Sequence, residues 1–155
     1  MMGSGKTTIG KLLAGELGVD FEDLDTSITR RYKMSINEVF LKHGESFFRE
    51  AESNALINSS GIVISCGGGT VLNKNNRRYI KKGLSFFLNV EIDELKKRLK
   101  GVRDRPLLDD ENLKQSLESL WKKREHLYLQ TADHIINVKN KRPKDITKKI
   151  SGYIK

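Results

Sequence analysis

The apolar positions of this chain repeat at two spacings that trade places along its length. Ile9, Leu12, Leu13 and Leu17 recur at helical intervals, and Gly18 stands where a left-handed cap would close the helix, so residues 5–17 read as a first helix. Asp20–Asp23 reads as a short strand. Ser35, with Glu38 three positions later, is a capping box that opens a helix over 36–43, and a second helix runs from about Glu45 to Asn58. The run Gly61-Ile62-Val63-Ile64-Ser65 is short, apolar and β-branched, the pattern of a buried parallel strand ending at a glycine turn. Leu84–Val90 and His134–Val138 are similar runs. Helices near 74–82, 92–100 and 112–129 lie between them, and a last helix starts at Pro143, a residue favoured at the first helical position. The order is α/β throughout, with no linker and no internal repeat.

Composition narrows the class. A chain of 155 residues suits one domain, 1–155, able to bury about 68–70% of its unfolded surface. No apolar run approaches the roughly 20 residues of a membrane helix, so no membrane partner is expected. The lone Cys66 cannot close an internal disulfide and no signal-peptide pattern opens the chain, which makes the cytoplasm the expected compartment. The net charge of +9 is uneven, −2 over residues 1–69 and +11 over residues 70–155. A basic half can meet nucleic acid, membrane or small anions, or only keep a surface soluble. The run Lys139, Lys141, Arg142, Lys144, Lys148, Lys149 lacks the aromatics that interleave with charge in single-strand binders. It reads as a solvated helix face, and no nucleic-acid partner is expected. A monomer is expected on size.

Candidate chemistry begins at Gly3-Ser4-Gly5-Lys6-Thr7-Thr8, directly before the first helix. This is the end of the phosphate-loop pattern G-x-x-x-x-G-K-[ST], in which glycines let backbone N–H groups wrap phosphate oxygens and the helix N-terminus adds its dipole. Lys6 would contact the β- and γ-phosphates of a nucleotide, and Thr7 would hold Mg²⁺. A glycine-rich helix start with an incidental lysine is the bland alternative, disfavoured by six matching positions in a row. The first glycine of the pattern would lie one residue before Met1, and the strand that feeds such a loop is absent from the sequence. The expectation drawn from this is that the chain starts inside a longer reading frame, that codons upstream encode a short apolar strand ending in glycine, and that the 155-residue product is marginal or inactive.

Water-activating ATPases usually end an apolar strand in a carboxylate, whereas Ile62-Val63-Ile64 runs into Ser65-Cys66-Gly67. Asp23 and Asp25, two apart at the end of a short strand, would point the same way and could divide the work between a metal and an acceptor hydroxyl. With Glu22 beside them, a merely acidic loop is an equal alternative. Leu113, Leu117, Leu120, Arg124 and Tyr128 form one helical stripe, which puts Arg124 on the inward side. It either snorkels to water or meets an anion. Arg49 sits beside Phe48 with Glu52 at i+3, and two arginines suggest an anionic ligand matched by the planar guanidinium fork. Gly67-Gly68-Gly69 at a strand's carboxyl end favours a ligand wall over a simple turn. Cys66 reads as a small buried residue, and His43, His126 and His134 show no metal-ligand spacing.

In this order the motifs resemble those of the shikimate kinase family, small phosphate-loop kinases of the nucleoside monophosphate kinase type. The matching segments are Gly-Ser-Gly-Lys-Thr-Thr at 3–8, Phe-x-Asp-x-Asp at 21–25, Phe-Phe-Arg-x-x-Glu at 47–52, Gly-Gly-Gly at 67–69, Arg-Pro-Leu-Leu at 105–108, and Arg124 with Tyr128. The resemblance implies a three-layer α/β fold with parallel strand order 2-3-1-4-5, here lacking its first strand, and a lid at about 101–112. It implies ATP and Mg²⁺ as cofactors and shikimate as substrate, with the γ-phosphoryl of ATP passing to the 3-hydroxyl. Asp25, Arg49, Gly68, Gly69 and Arg124 would hold shikimate, the two arginines on its carboxylate. Asp23 would act near Mg²⁺, Arg105 would serve catalysis from the lid, Arg98 would lie beside adenine, and Pro143 would cover the base's other side. Lys6, Asp25 and Arg105 are thus the expected catalytic residues. Another small-molecule kinase, such as a gluconate kinase, and a nucleic-acid-binding phosphate-loop regulator are the rival readings.

Overall fold

A computed structural model describes residues 1–102, 106–109 and 111–154. Helix α1 (Lys6–Leu17) buries Ile9 and Leu13, one turn apart, and ends at Gly18, whose φ of 67° gives the expected left-handed cap. Gly10 lies mid-helix because a side chain there would stand 2.5 Å from the Phe21 ring. Strand β1 (Phe21–Asp23) follows, then α2 (Leu24–Tyr32) and α3 (Ile36–Ile57). Both halves of the Ser35/Glu38 capping box form, and Gly44, with φ 83° and ψ 170°, kinks α3 where two helices were expected. The remaining order is β2 (Val63–Ser65), a 3-10 turn (Thr70–Leu72), α4 (Lys74–Ile80), β3 (Phe86–Asn89), α5 (Ile92–Leu99), α6 (Leu113–Thr131), β4 (His134–Asn137) and α7 (Pro143–Ile154).

Three expectations need correction. Helix α2 is absent from the sequence reading; Asp23 leaves the strand to cap it, its carboxylate accepting from the Thr26 N–H at 3.1 Å. Asp25 therefore lies in a helical first turn and not on the strand. Strand β2 is half-buried, with Ile62 just before it 74% exposed. The parallel strands form two separate pairs, β1 with β2 and β3 with β4. These are the two flanks of the expected 2-3-1-4-5 order, and among the described residues no strand joins them, so β2 packs as an edge.

The larger core joins Ile9 and Leu13 of α1 to Phe87 and Leu88 of β3, Leu95 and Leu99 of α5, Leu117 and Tyr128 of α6, Ile136 of β4, and Ile146 and Ile150 of α7. Fully buried aliphatics such as Leu95, Leu117 and Ile136 each contribute about 1.5–3 kcal/mol. A smaller core, Ile28, Ile36, Val39, Phe48 and Ala51, clamps α2 to α3. The open space between the two cores, over the start of α1, is where the candidate residues gather. The basic positions Lys139, Lys141, Arg142, Lys144, Lys148 and Lys149 are all exposed, as expected of a solvated face.

Candidate active site

A cleft of about 350 Å³ opens between the α1 start, α2, the second half of α3 and the Gly67–Gly69 loop. At one end, Gly3 (φ 71°) and Gly5 (φ 92°) take left-handed conformations that turn the backbone into α1. No side chain caps the first N–H groups of that helix, which leaves them and the positive end of its dipole facing the cleft. The Lys6 ammonium donates to the Met1 carbonyl at 2.7 Å, and the Ser4 hydroxyl to the same oxygen at 2.9 Å. Ser4 is buried and acts as a brace of the loop. Gly3, Gly5, Lys6, Thr7 and Thr8 line the space itself.

Beside them the Thr7 hydroxyl donates to Asp23 Oδ2 at 2.6 Å. A hydroxyl and a carboxylate of this kind suit a hard cation that completes its shell with phosphate oxygens and water. Among the described residues no group of three or more His, Cys, Asp or Glu side chains could cage a metal. Asp25, from the first turn of α2, lines the same cleft. Arg98 reaches it from α5, held by Glu94 at 3.0 Å and donating to the Gly3 carbonyl at 3.3 Å.

The opposite end is built around two guanidiniums. Arg49 Nη1 donates to Glu52 at 2.9 Å, while its Nε and Nη2 donate to Glu45 at 3.2 and 3.0 Å. Three of its five N–H groups are thus taken, and two remain. Glu52 is 1% exposed, and its second oxygen accepts from the Thr70 hydroxyl at 2.7 Å. Burial pushes the Glu52 carboxyl above its ordinary value, against the pull of Arg49 and Thr70. The three glycines fold tightly over this pair: a side chain on Gly67 would stand 2.2 Å from Glu52 Oε1, and one on Gly69 would stand 2.1 Å from Arg49 Nη1.

Arg124 of α6 is 3% exposed, so it does not snorkel. Its Nη1 donates to the Gly68 carbonyl at 3.3 Å, the Tyr128 hydroxyl donates to the same oxygen, and no carboxylate among the described residues pairs with it. Tyr128 is itself fixed by stacking on Phe87 at 4.9 Å. A buried, unpaired cation facing a cleft is costly unless an anion meets it there.

Of the residues expected from sequence, the cleft brings together Gly3, Gly5, Lys6, Thr7, Thr8, Asp23, Asp25, Arg49, Gly68, Gly69, Arg98 and Arg124. Pro143 opens α7 as an exposed residue outside the lining, and Arg105 lies outside the described residues. Sequence reasoning missed Ile36, Phe40 and Phe48, which give the cleft an apolar wall with the two rings 4.8 Å apart. The aromatic spacing around the Gly44 kink was the available signal. Cys66 is half-buried, and burial together with the Glu52 charge pushes its thiol up to about 12, so it stays protonated and inert. The arrangement sets an uncapped helix start and a lysine at one end of the cleft and two guanidiniums at the other.

Comparison with known proteins agrees. The family model described as shikimate kinase matches residues 2–155. A shikimate kinase of Geobacter sulfurreducens is 39% identical over 99% of this chain and 87% of its own length, and one of Trichormus variabilis is 42% identical with the same coverage. Among solved structures, shikimate kinase from Acinetobacter baumannii in complex with shikimate superposes with a TM-score of 0.94 at 34% identity, over 99% of this chain and 88% of that one. Shikimate kinase from Aquifex aeolicus gives 0.85 at 30% identity, over 99% and 92%.

Proposed function

We propose the roles of the cleft residues from one premise: the chain belongs to the shikimate kinase family, and it phosphorylates shikimate with ATP. The observation that carries the residue assignment is the convergence of Arg49 and Arg124, from helices α3 and α6, on the cleft whose other end is the α1 phosphate loop. Arg124 and the two unused N–H groups of Arg49 receive the shikimate carboxylate. Phe40, Phe48 and Ile36 cover the ring. That places the ring hydroxyls toward Asp25, which orients the 3-hydroxyl.

At the phosphate end, Lys6 exchanges the Met1 carbonyl for phosphate oxygens, and the uncapped N–H groups of α1 hold the same chain of phosphates. Thr7 and Asp23 would hold Mg²⁺. When bound, the ion supplies positive charge to the phosphate oxygens. Phosphoryl transfer needs little covalent help, so the chain's contribution is to hold donor and acceptor in line and neutralise charge. Arg98 lies beside the base and Arg105 adds charge from the segment 101–112. Pro143, at the exposed start of α7, lies outside the cleft lining. The proposed reading is of a cytoplasmic monomer that works without a nucleic-acid or membrane partner. Among the described residues no helix is long and apolar enough to cross a membrane.

Coupled ADP release with shikimate or gluconate as acceptor tests this reading. Turnover that depends on shikimate and is absent with gluconate is expected. Equal turnover with both, or ADP release indifferent to either, would overturn it.

A further inference from the structure

We propose that Thr70 is a positioning residue of the acceptor site, its hydroxyl holding the Glu52 carboxylate in the orientation that aims Arg49 into the cleft. The inference rests on the shikimate reading above and adds to it a residue that touches neither substrate. Thr70 is fully buried, follows the three glycines, and is not part of the cleft lining. Its position is over-determined. Its N–H donates to the Gly67 carbonyl at 3.2 Å, its own carbonyl accepts from Asn76 Nδ2 at 3.2 Å, and Asn76 is itself 1% exposed. From that fixed backbone the hydroxyl donates to Glu52 Oε1 at 2.7 Å.

The other Glu52 oxygen receives Arg49. Glu52 is faced by Arg49 on its own helix, by Asp25 from α2, by Cys66 beyond β2 and by Tyr128 from α6; only Arg49 among these brings a positive charge. Thr70 is thus the second donor that keeps the carboxylate charged and oriented. Without it, one oxygen of a buried carboxylate has no partner, and the group gains by taking up a proton, which removes the charge that holds the guanidinium. Arg49 is then released toward Glu45, which is half-exposed and holds two of its N–H groups from the solvent side. Gly67 and Gly69 lie so close to Glu52 and Arg49 that a side chain on either would collide with the pair.

The test compares Thr70→Val, which keeps the shape and removes the hydroxyl, with Thr70→Ser, which keeps the hydroxyl. Shikimate and ATP are titrated separately by calorimetry, and steady-state kinetics and thermal melting are run on the same preparations. T70V is expected to weaken shikimate about tenfold in Kd and KM, to leave the ATP Kd unchanged and kcat within about threefold, and to move the acid limb of shikimate binding to higher pH. T70S is expected to restore all of these. Should T70V not fold, Thr70→Ala carries the same readouts. Wild-type shikimate affinity in a folded T70V or T70A, or equal weakening of shikimate and ATP along with the melting temperature, would overturn the proposal. Failure of the underlying reading is distinguishable, because then the unsubstituted chain itself neither binds shikimate nor turns it over.

Discussion

Replacing Gly69 by alanine adds a single methyl group, and the structure says where it goes. The new Cβ would stand 2.1 Å from Arg49 Nη1, 2.4 Å from Cζ and 2.6 Å from Nη2. Ordinary contact begins near 3.5 Å, so the guanidinium must retreat by more than about 1 Å. The alanine backbone itself is unstrained, since Gly69 has φ −100° and ψ −7°. The Arg49 side chain is 20% exposed and can swing toward Glu45. The fold therefore loses little, while the 2.9 Å bond to Glu52 and, with it, the proposed grip on the substrate carboxylate are lost. Hydrogen bonds to charged groups contribute about 1.5–3 kcal/mol, which corresponds to roughly 10- to 150-fold in affinity. Calorimetric titration of G69A with shikimate should show a loss in that range, with ATP affinity and melting temperature near those of the parent. Gly68→Ala is the control, because its Cβ would stand 3.3 Å from the Met2 backbone nitrogen and 3.5 Å from Met1 Cα and its carbonyl carbon, clear of Arg49, and a smaller loss is expected. Shikimate affinity within about threefold of the parent in a folded G69A would refute the reasoning.

Lys6→Ala should collapse turnover by a hundredfold or more while the chain stays folded, since it removes charge from the transferring phosphoryl; single-turnover assay and circular dichroism check both halves. Arg124→Ala should weaken shikimate far more than ATP, because the buried guanidinium is the unpaired one, and separate titrations give the ratio. Burial raises the Glu52 carboxyl, so between its unfolded and folded values the native state holds a proton that the unfolded chain has released. Stability contributed by this group therefore falls as pH climbs through that window, shikimate affinity rises across it, and Glu52→Gln should flatten both trends in melts and titrations run at several pH values.

What was legible in the chain was local backbone chemistry. The Gly18 cap, the Ser35/Glu38 box, the Gly44 break and the Pro143 start each depend on a few neighbouring residues, and each forms as read. Arg124 was legible for a related reason, since one helical stripe fixes its side. Helix α2 was not, because Leu24 and Ile28 are its only buried residues and its remaining positions are mostly polar; the Asp23 cap was the one signal. The same cap misled the placement of Asp25, as two-residue alternation holds only while the strand continues. The i+3 spacing of Arg49 and Glu52 announced their ion pair, but Thr70 and Asn76 carry no sequence signature. Their bonds span 18 and 6 positions and exist only once the glycine loop has closed over α3.

The central claim is that the cleft moves a phosphoryl group from ATP to a hydroxyl of shikimate and not to water. Phosphorus NMR of a reaction mixture containing the chain, ATP, Mg²⁺ and shikimate separates the two outcomes directly. The account predicts one phosphomonoester, its phosphorus coupled to the ring proton at carbon 3, formed in equal amount to ADP. Inorganic phosphate appearing in its place, or a phosphomonoester on another ring carbon, would contradict it.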